Sequence, residues 1–410
     1  MHPLLFHKVI PNSFIKVFIL VLILLVPINA KSQSSSVLKE GKWVKMNFES
    51  SGIYKIDFSL LSDMGFDANE LDPRNLSVYG NKGGMLPQSN AAERSAGLEE
   101  NSIYISGESD GIFNVDDYLL FYVDEVNSRS FNSIDNSFSV EKNLYSDELH
   151  YFITLKNSSG KRIVENANLE GDFPIIDVYN NIINHEADLF NILGSGRKWF
   201  GERFDSQNEN YFDLELNHVA PAQEVKMVVS AMAQSFNSSS ISISFDDQDV
   251  GELAFNPIPN ARYTVKGSEM TNSFQFSTDQ LSPSSRLKFT FNRNGSSSAI
   301  AYLGNYLLDI PSIITLEDDQ LSFRSVASLQ NSISKFRLGN LLDGSKVWNV
   351  SNPIHPRNQQ LSLINDKGTF GHFSNELEEY VLFNPTEVSL VNSFEAIQNQ
   401  NLHEISTPEF

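Results

Sequence analysis

The chain has 410 residues, 40% hydrophobic and 20% charged, long enough for two or three packed domains and too apolar for a disordered chain. Lys and Arg number 30 against 51 Asp and Glu, a net charge of −21, which disfavours nucleic acid or an anionic membrane as partner and favours neutral or basic ones. Cysteine is absent, so disulfides, thiolate zinc sites and cysteine nucleophiles are excluded from these residues.

Residues 1–30 place His2, His7, Lys8 and Lys16 before the apolar run Val17 to Ile28 and close on Asn29-Ala30, the design of a secretory signal peptide. The run falls short of the ~20 residues that span a bilayer, so a cleaved signal and export are expected. A Ser-rich linker follows at Ser32 to Ser36. Lys42 to Phe48 and Gly52 to Ile56 alternate polar and apolar residues as half-buried strands do. Asp57 to Gly65 then spaces Leu60, Leu61 and Met64 for a short helix, with Asp57 or Ser59 as cap and Gly65 as stop. Leu76 to Gly80, His150 to Leu155 and Phe173 to Tyr179 read as further strands, and Tyr118 to Val123 as a strand of fully buried type.

From Tyr211 a rhythm of short strands sets in: Tyr211–Leu216, Val225–Met232, Ile241–Phe245, Glu252–Phe255, Arg262–Val265, Phe274–Phe276, Leu287–Phe291 and Ala299–Ile310, separated by Asn, Ser, Gly, Pro and Asp clusters. Such spacing predicts a β-sandwich or jelly roll. Later candidates lie at Leu321–Val326 and Tyr380–Phe383. The expected fold is therefore mainly β. It has a strand-rich α+β N-terminal region over 31–204, a β-sandwich or jelly-roll-like domain over 205–312, and a small β-rich segment over 313–410.

Motifs for chemistry are sparse. Gly107-Glu108-Ser109-Asp110-Gly111 matches the G-x-S-x-G elbow of serine hydrolases, but that nucleophile needs a helix straight after it. Ile112 to Asp117 has no helical apolar stripe, so a turn is expected. The same stretch partly fits a twelve-position calcium loop, with Glu108, Asp110 and Asp117 as candidate metal ligands and Gly111 at the bend; a solvated acidic turn is the competing reading. His185-Glu186 and His403-Glu404 begin like H-E-x-x-H yet lack the second histidine that zinc requires. Asp246-Asp247-Gln248-Asp249 and Glu317-Asp318-Asp319 could supply a carboxylate pair for glycoside hydrolysis, against the plainer reading of a solvated acidic face. Trp43, Trp199, Trp348 and the tyrosines are expected chiefly in the core, the alternative being a sugar-stacking platform. No catalytic or cofactor-binding constellation is identified.

A set of strings carries more information: Ser51-Gly52-Ile53-Tyr54-Lys55-Ile56, Asp72-Pro73-Arg74-Asn75-Leu76-Ser77-Val78-Tyr79-Gly80, Gly83-Gly84-Met85-Leu86-Pro87, Gly194-Ser195-Gly196-Arg197-Lys198-Trp199-Phe200-Gly201-Glu202 and Val347-Trp348-Asn349-Val350-Ser351-Asn352-Pro353. In this order they resemble the non-catalytic N-terminal half of the PorU family, the gingipain-like cysteine peptidase that serves as surface sortase of type IX secretion in Bacteroidota. The resemblance spans nearly the whole mature chain. It implies that the catalytic Cys and His belong to a caspase-like peptidase domain following this half. Asn399 to His403 resembles the junction before that domain, so the chain is expected to stop short of it, and no catalytic residue of the family carries over. What the resemblance implies is an accessory region with four kinds of association: an absent peptidase domain, outer-membrane secretion proteins, cargo with C-terminal secretion signals, and the cell surface. The alternative read from the residues alone is a secreted carbohydrate-binding sandwich.

Overall fold

Period-two alternation buries Val44, Met46 and Phe48 along the strand Trp43–Phe48, and Trp43 is buried on the opposite face. In this computed structural model, which describes residues 35–402, that strand sits in a five-stranded antiparallel sheet. The order is Phe394–Ile397, Trp43–Phe48, Leu149–Leu155, Leu76–Gly80, Glu99–Asn101. The signal segment at 1–30 and His403 lie outside the described residues. A second, three-stranded sheet has the order Gly52–Asp57, Tyr118–Val123, Tyr104–Ile105. The continuous apolar run Leu119 to Val123 follows from burial on both faces. Leu119, Phe121 and Val123 join the core with Met46, Val78 and Ile153, while Leu120 and Tyr122 join Trp348, Val381 and Phe383 on the other side.

The expected helix forms at Phe58–Asp63, capped by Asp57, whose Oδ1 accepts from the Leu60 amide at 2.8 Å. It ends at Gly65, where φ is +80°. Asp57→Ala should lower stability by about 1 kcal/mol in urea unfolding, while Asp57→Asn, which keeps the acceptor, should be close to neutral.

The predicted sandwich is present as a five-stranded and a four-stranded face. One runs Val178–Glu186, Ile300–Ile313, Glu224–Gln234, Ser268–Ser277, with the short Arg203–Phe204 pairing beside it; the other runs Glu209–Glu215, Ser284–Asn292, Ser239–Phe245, Gln248–Phe255. Val225, Met227, Val229, Leu303 and Leu308 meet Ile241, Ile243, Phe245, Leu287 and Phe289 between them. Two placements differ from expectation. Arg262–Val265 forms no strand: it is a turn with Tyr263 and Val265 exposed, and the strand begins at Ser268. Pro257 and Pro259, which lack an amide for a ladder, precede that turn. Val178–Glu186, which lies before residue 205, instead supplies an edge strand.

The remaining sheets draw on distant segments. One has the order Val164–Asn166, Arg357–Gln359, Lys346–Asn349, Tyr380–Phe383, Gln320–Phe323, and the other Ile175–Ile176, Ile333–Leu338, Lys367–Phe373, Ser362–Ile364. Phe336 stacks on Phe370 at 5.0 Å and Phe323 on Tyr380 at 5.2 Å in the core between them. Segments around 164–176 thus complete sheets otherwise built beyond residue 320, and Phe394–Ile397 returns to the first sheet. Residues 41–399 accordingly form one compact unit. The described ends are a separate unit, in which Ser36 caps the turn Val37–Lys39 and its amide donates to Asn401 Oδ1 at 3.0 Å. The fold is mainly β, its sheets largely antiparallel and none closed.

Candidate functional site

The strand Tyr118–Val123 delivers Asp124 and Glu125 to a partly buried charged cluster. Asp124 accepts from the Gly83 amide at 2.8 Å and the Glu125 amide at 2.9 Å, and its own amide donates to the Tyr151 hydroxyl at 3.0 Å. Gly83 is required by this approach, because a Cβ there would lie 1.7 Å from the Glu125 carbonyl oxygen. The hairpin Ser128–Asn132/Ser137–Glu141 follows and places Arg129 over the cluster. Its guanidinium meets Glu125 at 2.6 Å and Glu379 at 3.2 Å. Arg324 donates to the same Glu379 oxygen through Nε at 2.7 Å and also through Nη2. A cavity of about 290 Å³ opens here, bordered by Lys82, Asp124, Glu125, Arg129, Ser351 and Glu379.

Burial sets the electrostatics. It pushes the Asp124 carboxyl above the usual carboxylate range despite two amide donors. It also pushes Glu125 up, with Glu379 and Asp124 adding repulsion against the pull of Arg129. Burial opposes the charge of Arg324, but Glu379 more than restores it and the guanidinium is held charged. A carboxyl raised in the fold stabilises it below the unfolded value of ~3.9, and that contribution is lost as pH rises through the folded value. Asp124→Asn should therefore gain stability relative to the parent as the pH climbs through that window. Paired urea titrations at several pH values check this; a difference that stays flat with pH would contradict the assignment.

The cluster ties together strands from three sheets, and its two guanidinium groups neutralise most of its three carboxylates. Nothing singled out its members in advance. The available signal was the placement of charge immediately after buried apolar runs, at Asp124-Glu125 after Val123 and at Arg324 after Phe323.

The residues that sequence motifs pointed to are elsewhere and are not gathered. Glu108–Asp110 is a 3₁₀ turn between two left-handed glycines, Gly107 and Gly111, with no helix after Ser109, so the elbow context is missing. The three residues proposed for a calcium loop have these partners in the structure. Glu108 is paired with Arg162 at 2.7 Å, Asp110 accepts from the Ile112 amide at 3.0 Å, and Asp117 turns back to accept from the Asn114 amide at 2.7 Å. Among the described residues no group of three or more His, Cys, Asp or Glu is arranged to hold a metal. Asp246 and Asp247, at φ of +46° and +65°, are the two-residue turn of the hairpin Ser239–Phe245/Gln248–Phe255. Asp246 accepts from the Arg286 amide and from Ser285 and Ser282, which hold its carboxyl below the usual range, and Asp247 pairs with Lys288. Glu317 pairs with His218, and His185 pairs with Glu202 at 2.9 Å while stacking on Tyr306. Trp43 and Trp348 are buried, and Trp199 is exposed.

No family model and no curated protein matches this sequence. Among solved structures, dimeric latent PorU from Porphyromonas gingivalis superposes with a TM-score of 0.78 at 18% identity, covering 92% of this chain and 35% of that one. The chain thus spans about a third of that PorU chain's length. The BuGH86 complex with neoagarooctaose follows at TM-score 0.20 and 11% identity, covering 66% of this chain and 32% of that one. The Bacillus thuringiensis delta-endotoxin Cry8Ea1 reaches 0.23 and 10%, covering 68% and 54%. Neither of these two carries an argument. The chain has a PorU-like fold.

Proposed function

We propose that this chain is the non-catalytic part of a PorU-like sortase, a scaffold that positions a gingipain-like peptidase domain for removing C-terminal secretion signals in type IX secretion. The observation that carries the reading is the likeness of fold along 92% of the chain, together with the five ordered strings at 51–56, 72–80, 83–87, 194–202 and 347–353. With no cysteine in these residues, the thiol nucleophile of such a sortase has to come from the peptidase domain. The reading makes that domain, the outer-membrane secretion proteins and signal-bearing cargo the partners. It places the protein, after export, at the outer-membrane surface. The interleaving of early and late segments in shared sheets suits a rigid support for a second domain.

The test mixes residues 31–410 with a cargo protein bearing its C-terminal signal, alone and with a separately produced gingipain-like peptidase domain. The chain alone should leave the cargo intact, and the mixture should process it faster than the peptidase domain by itself. Cleavage by the chain alone, or a peptidase rate indifferent to its presence, would overturn the proposal.

A further inference from the structure

Three loops far apart in sequence converge beside the hairpin Ser128–Asn132/Ser137–Glu141. They are the Gly84–Gln88 stretch, the Asn143–Ser146 stretch and the Gly194–Trp199 stretch, the last through Arg197 alone, and they border a cavity of about 500 Å³. Met85, Leu86, Pro87, Tyr145, Arg94 and Arg197 are among its lining residues. Leu86 and Tyr145 are 67% and 76% exposed, an unusual amount of apolar surface for two side chains lining one depression.

The loops are braced before any ligand arrives. The Gly84 amide donates to the Val126 carbonyl at 3.1 Å, and Arg94 Nη2 donates to the Pro87 carbonyl at 2.7 Å. The Asn143 amide donates to Asn127 Oδ1 at 2.9 Å, and the Tyr145 amide to Asn143 Oδ1 at 3.0 Å. In the third loop Asn191 Nδ2 donates to the Ser195 carbonyl at 2.6 Å and the Lys198 amide to Ser195 Oγ at 3.0 Å. Just before the second loop, Lys142 pairs with Asp188 at 2.6 Å. Such bracing lowers the ordering cost of binding.

The charge pattern selects the occupant. Arg197 is exposed and makes no hydrogen bond or ion pair among the described residues, although the chain as a whole is at −21. Arg94 spends Nη2 on the loop carbonyls and keeps the rest of its five N–H donors. A carboxylate is the group that two such forks receive best. The net negative charge of the protein acts against a run of acids, though screening beyond ~8 Å leaves a single local pairing intact.

We infer that this cavity binds an extended peptide segment of a partner protein, an aromatic or aliphatic side chain entering between Leu86, Pro87 and Tyr145 and an adjacent carboxylate pairing with Arg197 and Arg94. The site stands independently of the scaffold reading above, since it needs no peptidase domain.

The experiment titrates the whole chain into fluorescently labelled, end-capped octapeptides carrying one Phe-Asp pair in a Ser/Lys background, read by anisotropy. Saturable binding is expected, weakened about tenfold or more by Phe-Asn in place of Phe-Asp and similarly by Arg197→Gln, the cost of losing a charged hydrogen-bonded pair. Ala-Asp peptides and Tyr145→Ala should lose binding as well, and both variants alter exposed residues, so unchanged circular dichroism confirms their fold. No saturable binding by any peptide, equal affinity for Phe-Asp and Phe-Asn, or undiminished binding by Arg197→Gln would overturn the inference. So would an anionic polysaccharide that displaces every peptide from the Arg197-dependent site and binds it more tightly than any of them.

Discussion

Arg324→Met should destabilise the protein by about 3 kcal/mol, the lower end of the ~3–5 kcal/mol typical of breaking a buried ion pair. The side chain is 4% exposed and its partner Glu379 is 30% exposed, so water reaches the orphaned carboxylate in part and moderates the loss. Arg129, 3.2 Å from the same oxygen, is the only neighbour in the cluster left to compensate. The position also sits at a junction. The Asn180 amide donates to the Arg324 carbonyl at 2.8 Å, Ser325 Oγ donates to the Val178 carbonyl at 2.8 Å, and the Val326 amide donates to Asn180 Oδ1 at 2.8 Å. Displacing the guanidinium thus disturbs the joint between the Gln320–Phe323 strand and the sandwich edge. The companion measurement is Arg324→Met with Glu379→Gln, which removes the stranded charge and should recover part of the loss. A single substitution that shifts the urea midpoint by less than ~1 kcal/mol equivalent would show that solvent already screens the pair.

The sequence makes local features legible and leaves long-range ones hidden. The Phe58–Asp63 helix could be read because the cap Asp57 and the Leu60 amide that donates to it are three residues apart. Most sandwich strands could be read because alternation and turn residues recur along one segment. Arg262–Val265 was misleading: Tyr, Thr and Val have the composition of a strand, but strand formation needs a pairing partner, and the fold provides none there. Asp246-Asp247 read as an acidic cluster, whereas a two-residue gap between alternating runs is the better signal of a hairpin turn. The spacing of Glu108, Asp110 and Asp117 says nothing of the close packing of Asp117 against Gly107, which depends on how the loop folds back. The charged cluster was illegible because Asp124, Arg129, Arg324 and Glu379 come from segments up to 255 positions apart. The parallel pairing of Val164–Asn166 with Arg357–Gln359 was hidden for the same reason.

The largest loss is expected at Trp348. Its side chain is fully buried among Ile53, Leu120, Tyr122, Val381 and Phe383, and it meets Phe383 edge to face at 5.1 Å. This cluster joins the three-stranded sheet of the N-terminal region to the strand Tyr380–Phe383, so a void here loosens two sheets at once. Trp348→Ala should cost about 3–5 kcal/mol, transfer and cavity terms together, because neighbours held in two sheets relax little. The indole N–H adds a distinguishing feature, since it is buried without a hydrogen-bond partner, a condition that costs ~1–3 kcal/mol. Trp348→Phe removes that unpaired donor while keeping an aromatic ring against Phe383, so it should lose far less than alanine does. Urea unfolding of the two variants separates the terms. If phenylalanine destabilises as much as alanine, the indole's volume rather than its unpaired donor governs this joint.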